Sequence, residues 1–171
     1  MASDADKSGT QKAAEADVEG FKEELGPFVV AAETTRMPMV FTNAKAPDHP
    51  IIFANQAFLT LTGYDEHKVL GQGFDFMMER GADPGALAEI QTAFAGGRDL
   101  ETQVRCRRKD GSVLWVTVFI SPVRDEGGIV VQHFASFVDI TRHREEGERL
   151  RSLLESISDL ISHGRGLGPA A

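Results

Sequence analysis

The sequence predicts an α+β fold: a five-stranded antiparallel sheet with helices on one face, an N-terminal cap helix and a C-terminal helix. Three observations lead there. Two short apolar runs, "MVFTN" and "IIFAN", come first and are joined by a Pro-containing turn. Short helical patterns follow. Three longer strand patterns then close the domain as a meander. Strands that cluster in this way, rather than alternating singly with helices, give one antiparallel sheet with segregated helices.

The elements can be justified in order. Residues 1–14 are rich in Ala, Ser, Asp and Lys and are expected to be disordered. Val18, Phe21, Leu25 and Phe28 recur at intervals of three and four, which predicts an amphipathic cap helix within 15–36, broken or kinked at Pro27. "PFVVAAETT" continues as another helical turn or two. Asn55 can cap the helix "QAFLTLTG", which Gly63 ends. Residues 65–80 read as short helical turns. In "DPGALAEIQTAFAGG", Asp83 is the N-cap, Pro84 takes the first helical position and Gly96-Gly97 stops the helix. "LETQVRCRR" runs into "KDGS", where Asp110-Gly111 signals a hairpin. "VLWVTVFISPV" runs into the turn "RDEGG", and "IVVQHFASFVDIT" is the last strand. The domain is bounded at 37–141. Residues 142–163 predict an amphipathic, coiled-coil-like helix with Leu150, Leu153, Leu154, Ile157, Leu160 and Ile161 in one stripe. Residues 164–171 are expected to be a flexible tail.

Composition narrows the function classes. The 171 residues, 42% hydrophobic and 26% charged, fit one globular domain with flanking helices. A net charge of −8 argues against nucleic-acid binding, which depends on Lys and Arg neutralising phosphates. No apolar run approaches the roughly 18 residues that span a bilayer. The polar N-terminus has no signal-peptide core, so a cytoplasmic location away from the membrane is expected. One cysteine, Cys106, makes no internal disulfide. Eleven Phe against one Trp and one Tyr suit a dry interior better than a polar catalytic cleft. The five histidines are scattered without metal-ligand spacing. His133 has inward parity on the last strand and reads as a satisfied or edge histidine in preference to an axial haem ligand. No phosphate-cradling loop or nucleophile elbow occurs, so no enzyme activity is expected.

"PIIFANQAFLTLTGYDEHKVLG", "DPGALAEIQTAF", "RRKDGSVLWVTVFISPVRDEGG" and "DIT" resemble a PAS domain. The subgroup they resemble most is the LOV domain, the flavin-binding blue-light sensor, over Met37 to Thr141. The flanking helices look like the cap and signalling helix of short LOV proteins. After "LG" the LOV family reads Gly, any residue, Asn, Cys, Arg, Phe, Leu, Gln. Here the chain reads Gly71, Gln72, Gly73, Phe74, Asp75, Phe76, Met77, Met78. The resemblance implies that Phe74 stands at the photoreactive Cys. Asp75 stands at an Arg that grips the flavin phosphate, and Met78 at a Gln near the ring. Gln91 lies near a second phosphate-binding Arg. Cys106 and Val116 stand at two Asn that bind the ring's polar edge, and Phe137 at the Gln that relays the flavin's protonation change. Asn55 is a possible frame contact.

Magnitudes weigh against FMN. Each unpaired polar edge costs about 1–3 kcal/mol, so four affected positions put roughly 4–12 kcal/mol at stake. A micromolar binder has only about 8 kcal/mol in all. The covalent photocycle is excluded, because Phe74 has no sulfur. Alternation along the strands turns Val104, Cys106, Leu114, Val116, Val118 and Ile120 inward, with Phe53, Phe74, Phe76, Met77, Met78 and Phe137 able to join them. The reading adopted is a collapsed core. A cavity for an apolar ligand and a residual flavin site are the alternatives.

Trp115, Phe119, Phe134 and Val138 have the opposite parity and predict an apolar patch on the outer sheet face, which needs a cover. The stripe Val18, Phe21, Leu25 and the stripe Leu150, Leu154, Ile157 are the available covers, within the chain or across a homodimer. A homodimer is the reading adopted. The function expected is a LOV-like sensory and dimerisation module with a protein partner in a signalling pathway and no cofactor. One alternative is a Cys-less flavin photoreceptor with FMN. The other, suggested faintly by "ISHGRG" around His163, is the sensor fragment of a histidine kinase.

Overall fold

Short local signals set the element ends in the computed structural model, which describes residues 9–79 and 83–164. Helices α1 (Gly9–Leu25) and α2 (Phe28–Thr34) precede strands β1 (Met39–Asn43) and β2 (Ile51–Ala54). Helices α3 (Gln56–Thr62), α4 (Glu66–Val69) and α5 (Pro84–Gly96) come next. Strands β3 (Leu100–Arg107), β4 (Val113–Arg124) and β5 (Val130–Asp139) complete the sheet, and α6 (Thr141–Gly164) follows. Helix α1 starts earlier than the expected Glu15, and the cap region is two helices divided at Gly26-Pro27. The expected tail from 165 onward lies outside the described residues.

Capping works as the sequence indicates. Asp83 Oδ1 accepts from the Ala86 N–H at 2.9 Å, and Gly97 closes α5 in the left-handed region at φ 55°. Asn55 does more than cap. Its Oδ1 accepts from the N–H of Phe58 and of Met39, each at 3.0 Å. Its Nδ2 donates to the carbonyls of Ala32 at 3.0 Å and Met37 at 2.8 Å. One fully buried amide thus joins α2, the start of β1 and the start of α3.

The sheet has the order β2-β1-β5-β4-β3, and every pairing is antiparallel. The two edges are therefore β2 and β3. The stretch after α4 is tied to both of them. Ile51 N–H donates to Gln72 O and Gly71 N–H to Ile51 O, each at 2.8 Å. At the other end, Glu79 N–H donates to Arg105 O at 3.1 Å and Arg107 N–H to Met77 O at 3.0 Å. Residues 71–79 form a strap fixed at each edge strand, and each edge gains hydrogen-bond partners that it would otherwise lack.

Alternation carries the inner face as expected: Val104, Cys106, Leu114, Val116, Val118, Ile120, Ala135 and Phe137 share one buried cluster with Phe58, Phe74, Met77, Ile90 and Phe94. Phe53 departs from the expectation. The β1–β2 register shifts between Phe41 and Thr42, where Thr42 pairs with Ile51 and Phe41 with Phe53. This bulge inserts Ile52 as an extra residue and resets the parity of β2. Ile51 and Ala54 consequently join the inner cluster, whereas Ile52 and Phe53 pack with Phe21 and Phe41 in a second one.

The described chain divides into two units, one ending at Asp139 and one beginning at Ile140. In the second unit α6 carries the stripe Leu150, Leu153, Leu154, Ile157, Leu160 and Ile161, each between 52% and 73% exposed. Replacing Asn55 by Ala removes four hydrogen bonds at once and is expected to cost about 2–4 kcal/mol. Urea unfolding of the variant beside the parent protein measures it.

Candidate functional site

The strap delivers Phe74 to the middle of the inner sheet face. Its ring lies 5.3 Å from that of Phe94 on α5 and 6.1 Å from that of Phe137 on β5, nearly parallel to the latter. Phe137 in turn meets Phe58 on α3 at 5.1 Å. Four phenyl rings from four elements thus meet between the sheet and the helices.

The seven positions singled out by sequence fall into two sets. Phe74, Cys106, Val116 and Phe137 are 5%, 0%, 0% and 3% exposed and belong to the inner cluster, with Met78 packed against it. Met78 also faces Cys106 through a backbone bridge. Asp75 and Gln91 instead line a cleft of about 720 Å³ beyond the cluster, bounded by the Asp48–His49 turn, the strap and α5. Phe74 and Phe94 reach both regions, as members of the cluster and as cleft wall. Asn55 points its amide entirely at backbone, so it braces the frame and has no group to spare.

Cys106 is inert by environment. Burial, reinforced by the nearby Glu79 carboxylate, pushes its thiol up to about 12. Glu79 itself bridges Arg105, at 3.1 Å, and Arg107. A thiol held that high stays protonated and is neither nucleophile nor metal ligand near neutral pH.

Sequence reading treated the histidines as scattered, yet two of them meet. His133 is 1% exposed. Its ring stacks on Phe94 at 4.1 Å, and its Nδ1 lies 3.4 Å from Thr42 Oγ1. His49, delivered by the β1–β2 turn, stands edge-on to His133 at 5.2 Å and to Phe94 at 4.9 Å. Among the described residues, Nδ1 of His49 and Nε2 of His133 are enclosed and meet no hydrogen-bond partner. Inward parity was legible for His133. The meeting with His49 was not, because it depends on a turn in which Asp48 (φ 62°) and His49 (φ 46°) both adopt left-handed backbone. Burial, with a contribution from His49, lowers the His133 imidazole to about 4, against a weaker opposing influence of the Phe94 backbone. Among the described residues no group of three or more His, Cys, Asp and Glu side chains is placed to hold a metal ion.

On the outer face Phe21 of α1 is buried against Phe41 at 4.8 Å and Phe53 at 5.9 Å. Phe134 lies beside Phe41 at 5.1 Å. Helix α1 therefore covers the β1–β2 end of this face within the chain. Trp115 and Phe134 are half-buried, and Phe119 and Val138 are exposed. The side chains of Val18 and Leu25 lie outside the described residues.

A sequence profile for the PAS domain matches residues 37–142. The chain belongs to the PAS domain family. Its solved likenesses place this PAS domain in the LOV subgroup. An RNA-binding light-oxygen-voltage receptor is 32% identical, with a TM-score of 0.68 over 77% of this chain and 38% of that one. A LOV domain whose mechanism was probed with a flavin analogue is 31% identical, with a TM-score of 0.64 over 76% of this chain and 96% of that one. Among curated proteins, a blue-light-activated histidine kinase of Rhizobium johnstonii is 39% identical over 152 residues, 86% of this chain and 42% of its own length. One from Brucella anthropi is 38% identical over 121 residues, 71% of this chain and 25% of its own length. The chain thus spans less than half of these kinases. Among the described residues no helix is long and apolar enough to cross a membrane.

In this LOV-type domain the buried His133 sets a pH dependence. Its folded value of about 4 lies below its ordinary 6.5, so the unfolded chain takes up the proton first. Stability is expected to be fully present above that ordinary value and to fall as pH drops toward about 4. The slope is at most about 1.4 kcal/mol per pH unit. His133→Phe should flatten that slope relative to the parent, as measured by denaturant midpoints across the range.

Proposed function

We propose that this chain is a LOV-type sensory and dimerisation module that does not hold FMN in the manner of its family and does not run a cysteinyl-flavin photocycle. One observation carries the reading: Phe74, Cys106, Val116 and Phe137 interlock as a dry cluster at the positions where the resemblance puts flavin contacts. An isoalloxazine ring presents several hydrogen-bonding edges. These four side chains offer it two phenyl rings, an isopropyl group and a protonated thiol. Each edge left unpaired in such a place costs about 1–3 kcal/mol. Phe74 has no sulfur to add to a flavin, so no covalent step is available.

The module acts through contacts. The apolar stripe of α6 pairs with its copy in a homodimer, since a leucine-rich face of this kind is stable in water only when covered. A signal reaching the inner core alters the packing of α6 and so reaches a protein partner. The curated relatives are histidine kinases, which favours a second reading in which the chain serves as the sensor region of such a kinase, in the cytoplasm, and performs no catalysis itself.

The purified protein is expected to be colourless, with no structured flavin absorption in the blue. A yellow protein with resolved flavin bands ends this reading and supports a Cys-less photoreceptor. Sedimentation equilibrium should give a dimer, and Leu154→Glu with Ile157→Glu should shift it to monomer while far-ultraviolet circular dichroism keeps the sheet signal.

A further inference from the structure

His133 is enclosed by neighbours of unequal firmness. It pairs with Thr42 on β1 and Pro122 on β4, and its ring stacks on Phe94 of α5 at 4.1 Å. Those three belong to the sheet and to a capped helix. The fourth neighbour, His49, stands edge-on at 5.2 Å and belongs to the β1–β2 turn. Asp48 and His49 hold left-handed backbone there, at φ 62° and 46°, a conformation disfavoured for residues with a side chain. From Lys45 to His49 the backbone hydrogen bonds stay within the turn. Lys45 N–H donates to Asn43 Oδ1 at 2.9 Å, and His49 N–H to Ala46 O at 3.3 Å. His133 is 1% exposed and His49 half-buried, which makes the turn an outer layer over a buried imidazole.

We propose that the β1–β2 turn is an acid-released door: protonation of His133 displaces His49 and opens the turn, admitting water to this part of the sheet.

An imidazolium enclosed by a phenyl ring, a proline and a second imidazole loses hydration and gains no counter-charge. Of the groups packed against the ring from β1, β4, α5 and the turn, only His49 titrates, and a proton on it repels one on His133. Lys45 and Asp48, the other charged residues of the turn, are exposed, and Asp75 on the strap already has an interaction of its own. Moving Thr42, Pro122 or Phe94 would disrupt the sheet or α5, whereas moving His49 disturbs only a turn. Opening also frees Asp48 and His49 from left-handed backbone. Burial, reinforced by His49, holds the closed-state imidazole at about 4, and access to water returns it to the ordinary 6.5. The open form therefore binds the proton more tightly. Opening grows as pH falls below 6.5 and levels off below about 4. The gain is about thirtyfold between roughly pH 7.5 and pH 5. This device is local, unlike the loss of global stability set by the same histidine, and it does not depend on whether FMN is held.

Amide hydrogen exchange of the whole chain, corrected for intrinsic rates, tests it over that pH range, with and without urea well below the unfolding transition. The reporters are Asn43 N–H, bonded to Pro50 O at 2.9 Å, and Ala44 N–H, bonded to Val131 O at 3.1 Å. Their protection is expected to fall about thirtyfold toward acid, through an opening that low urea leaves unchanged. The β3–β4 ladder should stay better protected and urea-sensitive. In His49→Asn, which tolerates left-handed backbone, ring-proton NMR should show His133 titrating nearer its ordinary value than in the parent. Protection of Asn43 and Ala44 that does not change with pH overturns the proposal. Exchange of both amides only through urea-sensitive global unfolding does so too, as does an unchanged His133 titration in the folded His49→Asn variant.

Discussion

The ring of Phe74 wedged between Phe94 and Phe137 is the contact on which the rest of the structure depends. It is placed there by a strap whose ends are hydrogen-bonded to β2 and to β3, the opposite edges of the sheet. The strap cannot slide, because moving it by one residue would break pairings at both edges together. Whatever side chain occupies its centre is driven into the inner face. A phenyl group there meets phenyl groups from α5 and β5, the latter in turn meeting one from α3, and the burial of several such rings, each contributing about 1.5–3 kcal/mol, holds sheet and helices together.

Apolar and polar side chains are segregated around that contact. The inner cluster has become a structural core with hardly a polar atom to offer, and its one thiol is kept protonated by burial. The polar groups of the region sit outside it, at the cleft where Asp48, His49, Asp75 and Gln91 gather. His133 and Phe94 lie at the boundary, stacked on each other, one deep in the sheet and the other on the cleft wall.

Most of the fold was legible in the sequence because it is written in local signals. Asn55, Gly63, Asp83 and Gly97 mark helix ends through capping, and strict alternation marks β3, β4 and β5. The errors and omissions arise where the structure is set by non-local geometry. The bulge at Ile52 reverses the parity of Phe53, and a single inserted residue leaves no trace in an alternation four residues long. The second duty of Asn55, tying α2 to β1, needs partners far away in the chain. The approach of His49 to His133 follows from a left-handed turn that neither residue type announces. The apolar identity of the core positions was readable, whereas the cleft was not, since its walls come from three segments with no common spacing.

We propose that aromatic side chains occupy the space between sheet and helices and leave no room for a flavin ring. A crystal structure of the full chain grown with excess FMN tests it most directly. The expected result is Phe74 in contact with Phe94 and Phe137, with no flavin density between sheet and helices. An ordered isoalloxazine lying between Phe74 and the sheet would contradict it.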